Sequence, residues 1–131
     1  MENQNDDVRI REIIQSWAEA VRNIDIKGIL ANHSEDILMF DVPPPLESKG
    51  IAEYEETWVY FYQYFKKGDT WELRDIDVTA GGDAAFATFL VKCGGTDGNG
   101  FDVRVTMGFK KINGEWAIAH EHHSVPAKEM E

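Results

Sequence analysis

The chain has 131 residues, a length that fits one domain rather than two. Apolar residues make up 43% of it and aromatics 11%, enough for a packed core and too much for a disordered tail. The formal net charge of −11 excludes a general basic field for nucleic acid or for an anionic membrane. The acidic residues are spread along the chain, which predicts a solvated surface.

No basic segment followed by an apolar one opens the sequence, so no signal peptide is expected. No apolar run approaches the roughly 18 residues of a membrane span. The one cysteine, Cys93, cannot form an internal disulfide. It lies in the apolar run Phe89-Leu90-Val91-Lys92-Cys93 and reads as a buried structural thiol in a cytoplasmic protein.

In chain order, residues 1–6 read as frayed, and Asp6 or Asp7 as the cap of a first helix. Ile10, Ile13, Ile14, Trp17, Ala20, Val21 and Ile24 then recur at helical spacing, with Arg9, Arg11, Glu12, Glu19 and Arg22 off the stripe. This predicts a helix over 7–23. Asp25 caps a short second helix that buries Ile26, Ile29 and Leu30. Ser34-Glu35-Asp36 breaks it, and Ile37-Leu38-Met39-Phe40 reads as a short strand ending at Asp41. Pro43-Pro44-Pro45 forbids helix and central-strand pairing, which makes 42–50 a stiff loop. Ile51, Tyr54, Trp58, Phe61 and Phe65 share one stripe, predicting a third helix over 51–66. Four strands follow, over 71–79, 84–93, 101–112 and 115–125. A glycine-rich connection over 94–100 precedes the third of these, and the hairpin turn Asn113-Gly114 joins the last two. Helices followed by a run of antiparallel strands predict a single α+β domain over 1–131.

If Asn113 and Gly114 are the turn residues, Met107 lies opposite His120 and Val105 opposite His122. Alternation then places Phe101, Val103, Val105, Met107, Phe109, Ile118, His120 and His122 on the core face. Arg104, Thr106, Gly108, Ala117, Ala119, Glu121 and His123 fall on the other. Small residues there suit packing between two sheets, so a homodimer through Arg104, Thr106, Ala117, Ala119, Glu121 and His123 is expected, an ordinary solvated face being the rival. His120 and His122 would be two imidazoles in an apolar interior, either core residues satisfied by one hydrogen bond each or functional groups. A His-x-His pair on a strand can also chelate metal, but no further cluster completes a ligand set, so neither metal nor cofactor is expected.

The run from Trp116 to Pro126, with His120, His122 and Ser124, placed after Asn113-Gly114, resembles the closing strand of SnoaL-like proteins. These belong to the nuclear-transport-factor-2-like superfamily, which includes ketosteroid isomerase. The spacing from Trp17 to Asp25 to Asp41, followed by Gly50 and a helix, is similar to the front half of that isomerase. The resemblance covers nearly the whole chain. It implies a cone-shaped fold of three N-terminal helices on a strongly curved, mainly antiparallel sheet, with a pocket at the open end, and it makes a homodimer common.

The resemblance also puts Asp41 where the isomerase has its general base. A carboxylate in an apolar pocket suits that work, because desolvation raises its pKa. An Asp at a strand end also commonly caps a turn. The isomerase's oxyanion donors are missing: its helix-one tyrosine corresponds to Trp17, and its late-strand acid falls near Gly108. Steroid isomerisation is therefore not expected. The candidate catalytic residues are Asp41, with His122 as acid or oxyanion donor and His120 orienting it. The candidate pocket walls are Trp17, Tyr54, Trp58, Phe61 and Met107. Three functions compete: acid–base chemistry on a small, partly apolar, carbonyl-bearing molecule; ligand binding without turnover; and a dimerisation module with a vestigial pocket.

Overall fold

The computed structural model describes residues 2–96 and 100–127, and of residues 2–4 the backbone alone. Helix α1 spans Glu2–Arg22, α2 Ile26–Leu30 and α3 Ile51–Phe61. The strands are β1 (His33–Phe40), β2 (Ser48–Lys49), β3 (Thr70–Ala80), β4 (Ala84–Gly94), β5 (Gly100–Ile112) and β6 (Glu115–Ser124). They form one six-stranded sheet in the order β2-β1-β6-β5-β4-β3. Neighbouring strands run antiparallel except β1 and β6, which are parallel. The helices packed on this curved sheet give the expected α+β cone. Among the described residues no helix is long and apolar enough to cross a membrane.

The stripe of α1 buries Ile10, Ile13, Ile14, Trp17 and Val21. Residues 2–6, expected to fray, are helical, and one tertiary hydrogen bond and one ion pair within the helix hold the first turns. Asp6 accepts a hydrogen bond from Trp116 Nε1 at 2.9 Å, and Asp7 pairs with Arg11 at 2.6 Å. Neither is a cap. Asp25 does cap α2, accepting from Gly28 N at 3.0 Å. Gly28 is required there, since a Cβ would come within 2.6 Å of Asp25 Oδ2.

Three further boundaries differ from expectation, each for a tertiary reason. Strand β1 begins at His33 rather than Ile37: the Asn32 carbonyl accepts from Ile118 N at 2.7 Å, so pairing with β6 draws the polar stretch 34–36 into the sheet. The proline loop ends in β2, paired with Leu38 and Met39 of β1. Helix α3 stops at Phe61, not residue 66. Short-range turns follow, and Tyr62 Oη donates to the Val21 carbonyl at 2.7 Å, which ties the chain to α1. Phe65 stays buried by stacking on Phe61. Of the connection over 94–100, residues 97–99 lie outside the described residues, as does Met1.

The main correction concerns the last hairpin. Asn113 and Gly114 form the turn with φ of 54° and 81°, and Phe109 pairs with Ile118 as expected. The register then slips. Gly108 pairs with His120, Met107 with Glu121 and Val105 with His123, which leaves Ala119 as an extra residue in β6. Such a bulge reverses which face every later side chain takes. Glu121 and His123, expected outside, are buried, whereas His120 is half-buried on the outer face and His122 is exposed there. Gly108 accommodates the bulge, since a Cβ there would press on His120 Cβ at 3.3 Å. Val103, Val105, Met107, Phe109 and Ile118 face the core as expected.

Candidate functional site

A cavity of about 180 Å³ lies between α3 and the sheet. Trp58 and Phe61 of α3 form one side, and Trp71 of β3, Cys93 of β4 and Val103 of β5 the other. His123 of β6 supplies an imidazole, Asp41, just past β1, a carboxylate, and Thr57 of α3 a hydroxyl. Val42, Tyr60, Tyr64 and Phe101, all substantially exposed, ring the mouth. A wider depression of about 480 Å³ adjoins it, sharing Asp41, Pro43, Thr57 and Tyr60 and bordered by Glu47, Glu53 and Glu56.

Behind the cavity wall lies a hydrogen-bonded cluster centred on Glu121, whose side chain is fully buried. Its Oε1 is 3.0 Å from His123 Nε2. Its Oε2 accepts from Tyr54 Oη at 2.6 Å and lies 2.6 Å from His33 Nε2. Tyr54 Oη in turn accepts from Trp17 Nε1 at 3.2 Å. On the cavity side, His123 Nδ1 is 3.7 Å from Asp41 Oδ1. The ring of His123 thus spans two carboxylates, one buried and one at the cavity wall.

Burial alone would push the Glu121 carboxyl up. The hydrogen bonds from His123 and His33, with their charge, outweigh it and hold Glu121 down at about 2. His123 moves the other way. Burial lowers it, but the hydrogen bond and charge of Glu121, aided by Asp41, raise it above its ordinary value. Tyr54 is pushed well up by burial and by the Glu121 charge, so it stays a donor. Burial and the charge of Asp69 lift the Cys93 thiol to about 11, which makes it a poor nucleophile despite its place on the cavity wall.

With Nε2–H donating to Glu121, a neutral His123 carries its lone pair on Nδ1, facing Asp41. Protonated, it presents an N–H there instead. One nitrogen anchored and the other exchangeable is the arrangement a proton-transferring histidine needs. Among the described residues no three His, Cys, Asp or Glu side chains are grouped to hold a metal ion.

Of the expected site residues, Asp41, Trp58 and Phe61 border the cavity. Asp41 also accepts from Val42 N at 2.8 Å, so it caps its own turn as well. Trp17, Tyr54 and Met107 lie in the core behind the wall, and the N–H of Trp17 is taken up by Tyr54. His120 and His122 are on the far side of the sheet. His120 Nδ1 bonds the Leu38 carbonyl at 2.7 Å, and both rings pack edge-on against Phe40. The bulge puts His123 and Glu121 in their place. His33 carries no sequence signal, since it lies in a stretch that reads as a break between elements. For Glu121 the one hint is Gly108, a glycine within a strand, which marks a bulge or a close backbone approach.

The SnoaL-like domain model matches residues 10–128. An NTF2-like protein of unknown function from Pseudomonas putida is 34% identical, with a TM-score of 0.89 over 94% of this chain and 88% of its own. A ketosteroid isomerase-like protein from Erwinia carotovora atroseptica shares the fold at 16% identity, with a TM-score of 0.74 over 91% of this chain and 96% of its own. So does an NTF2-like protein with a cystatin-like fold from Novosphingobium aromaticivorans, at 18% identity and a TM-score of 0.79 over 93% and 82%. No curated protein matches. With nearly the whole chain matched and the cone of helices on sheet in place, this protein belongs to the SnoaL-like family of NTF2-like proteins.

Proposed function

We propose that the protein binds a small, partly apolar, carbonyl-bearing molecule in the cavity and moves a proton on it without a cofactor, the type of chemistry done by isomerases, cyclases and dehydratases. One observation carries this reading: His123 stands on the cavity wall with Nε2 anchored on Glu121 and Nδ1 turned toward Asp41. In the proposed step His123 Nδ1 takes a proton from the carbon next to the carbonyl. The C–H electron pair passes into an enolate, and the proton returns from the imidazolium to carbon or oxygen. Asp41 at the wall stabilises the imidazolium and serves as a second proton acceptor.

The cavity is smaller than the roughly 300–1,000 Å³ of drug-sized sites, so the ligand is small or extends into the adjoining depression. Glu47, Glu53 and Glu56 around that depression disfavour an anionic ligand. The same reading takes the protein as a homodimer through the outer face of β5 and β6, which with the bulge consists of Arg104, Thr106, Ala117, His120 and His122. A monomeric mass at micromolar concentration in native mass spectrometry would remove the dimer.

The catalytic reading is tested by incubating the protein with a panel of small aliphatic and aromatic ketones in D₂O and following α-proton exchange by NMR. Exchange is expected with the native protein and should fall about 100-fold or more in His123→Gln. Ketone binding, seen as shifts of cavity resonances, with exchange no faster than in His123→Gln would make the protein a binding module and overturn catalysis.

A further inference from the structure

Glu121 offers two oxygens to three donors. His123 has Oε1 to itself, while Tyr54 and His33 share Oε2. The other nitrogen of His33, Nδ1, is 3.0 Å from the Ala31 carbonyl. A carbonyl only accepts, and so does an ionised carboxylate. Both nitrogens of His33 therefore face acceptors, and both are satisfied at once when each carries hydrogen. The ring is then an imidazolium paired with Glu121, and the side chains of both are fully buried.

That pairing changes what His123 has to do. A buried carboxylate needs a counter-charge. If His123 alone supplied it, the ring would be locked in its charged form and could not accept a proton. The groups facing His123 are Glu121 on its own strand, Asp41 at the end of β1 and Cys93 on β4 across the cavity, with the rings of Trp17 and Trp58 packed edge-on. Tyr54 of α3 and His33 of β1 reach it through Glu121. Among the described residues, His33 is the other basic side chain bonded to Glu121.

We propose that His33 is a positioning residue for His123: as the resident imidazolium on Glu121 Oε2, it supplies the counter-charge of Glu121 and leaves His123 free to exchange a proton at Nδ1. The proposal rests on His123 being the proton-transferring group of the cavity. Its test needs no substrate, so it fails separately from the catalytic reading.

Two NMR measurements decide it. In the native protein at neutral pH, ¹⁵N correlations of the imidazoles should show both His33 nitrogens protonated. A neutral His33 tautomer there would overturn the proposal without any variant. In His33→Gln, Glu121 turns to His123 for its charge, and His123 should titrate at a pH higher by about one unit or more. Tyr54→Phe removes a donor to the same oxygen but no charge, and should move His123 distinctly less. An unchanged or lowered His123 titration in a folded His33→Gln, or equal shifts in both variants, would reduce His33 to a packing role. The same displacement should appear in the acid limb of any proton-exchange profile.

Discussion

The two faces of β6 carry nearly the same side chains to opposite ends. Outward, His120 and His122 rest on Phe40, and His120 donates to one backbone carbonyl. Inward, one residue along in each case, Glu121 and His123 join a chain of hydrogen bonds from Trp17 and His33 to the cavity wall. A histidine stands in each pair, so histidine alone does not separate them. The inner face offers fixed partners and shields both groups from solvent, so a carboxylate and an imidazole there support each other's charge. The outer face gives His120 and His122 no such carboxylate, only the Phe40 ring and, for His120, the Leu38 carbonyl. Burial with partners, rather than the presence of histidine, makes the site.

The contrast is broken most severely by Glu121→Ala. It leaves His33 and His123 buried without their carboxylate, and a loss of about 3–5 kcal/mol in urea unfolding is expected. Tyr54→Phe comes next. It takes one donor from Glu121 and leaves Trp17 Nε1 without its acceptor, which should cost about 1–3 kcal/mol by the same measurement. Stability against pH sharpens the comparison further. Glu121 titrates in the fold at about 2, below its ordinary 4.5, so its contribution is whole above pH 4.5 and fades as pH falls toward 2. His123 is raised above 6.5, so its contribution is whole below that pH and is lost as pH rises through the folded value. The gap between the native protein and Glu121→Gln should therefore narrow in acid, and that between the native protein and His123→Gln should narrow in alkali. The smallest effect belongs to the outer face: His122→Ala should stay within about 0.5 kcal/mol of the native protein and leave the His123 titration where it was.

The fold was largely legible because its signals are local and periodic. The α1 stripe from Ile10 to Val21, the Asp25 cap and the Asn113-Gly114 turn each act over a few residues. The resemblance marked Asp41, and helical spacing marked Trp58 and Phe61, all of which border the cavity. What stayed hidden depends on partners distant in sequence. Phe65 continues the spacing of α3, yet the bond from Tyr62 to Val21 has already turned the chain. Strict alternation fails at Ala119, because a single inserted residue inverts every assignment after it. Buried Glu121 and His123 also defy the rule that polar residues face out. Their burial is tolerable only with His33 and Tyr54, which lie 88 and 67 residues from Glu121.

The seat of β6 inside the sheet, between β1 and β5, also governs how the molecule is made. Among the described strands, the one that joins the two halves of the sheet follows all the others in sequence, and its Trp116 reaches back 110 residues to Asp6. Among the described residues, until β6 pairs, β1 has the two residues of β2 as its sheet partner, β5 has one open edge, and His33 and Tyr54 lack the Glu121 carboxylate. Assembly of the reactive cluster thus waits for β6 to pair, and before that the sheet presents bare strand edges that invite mispairing.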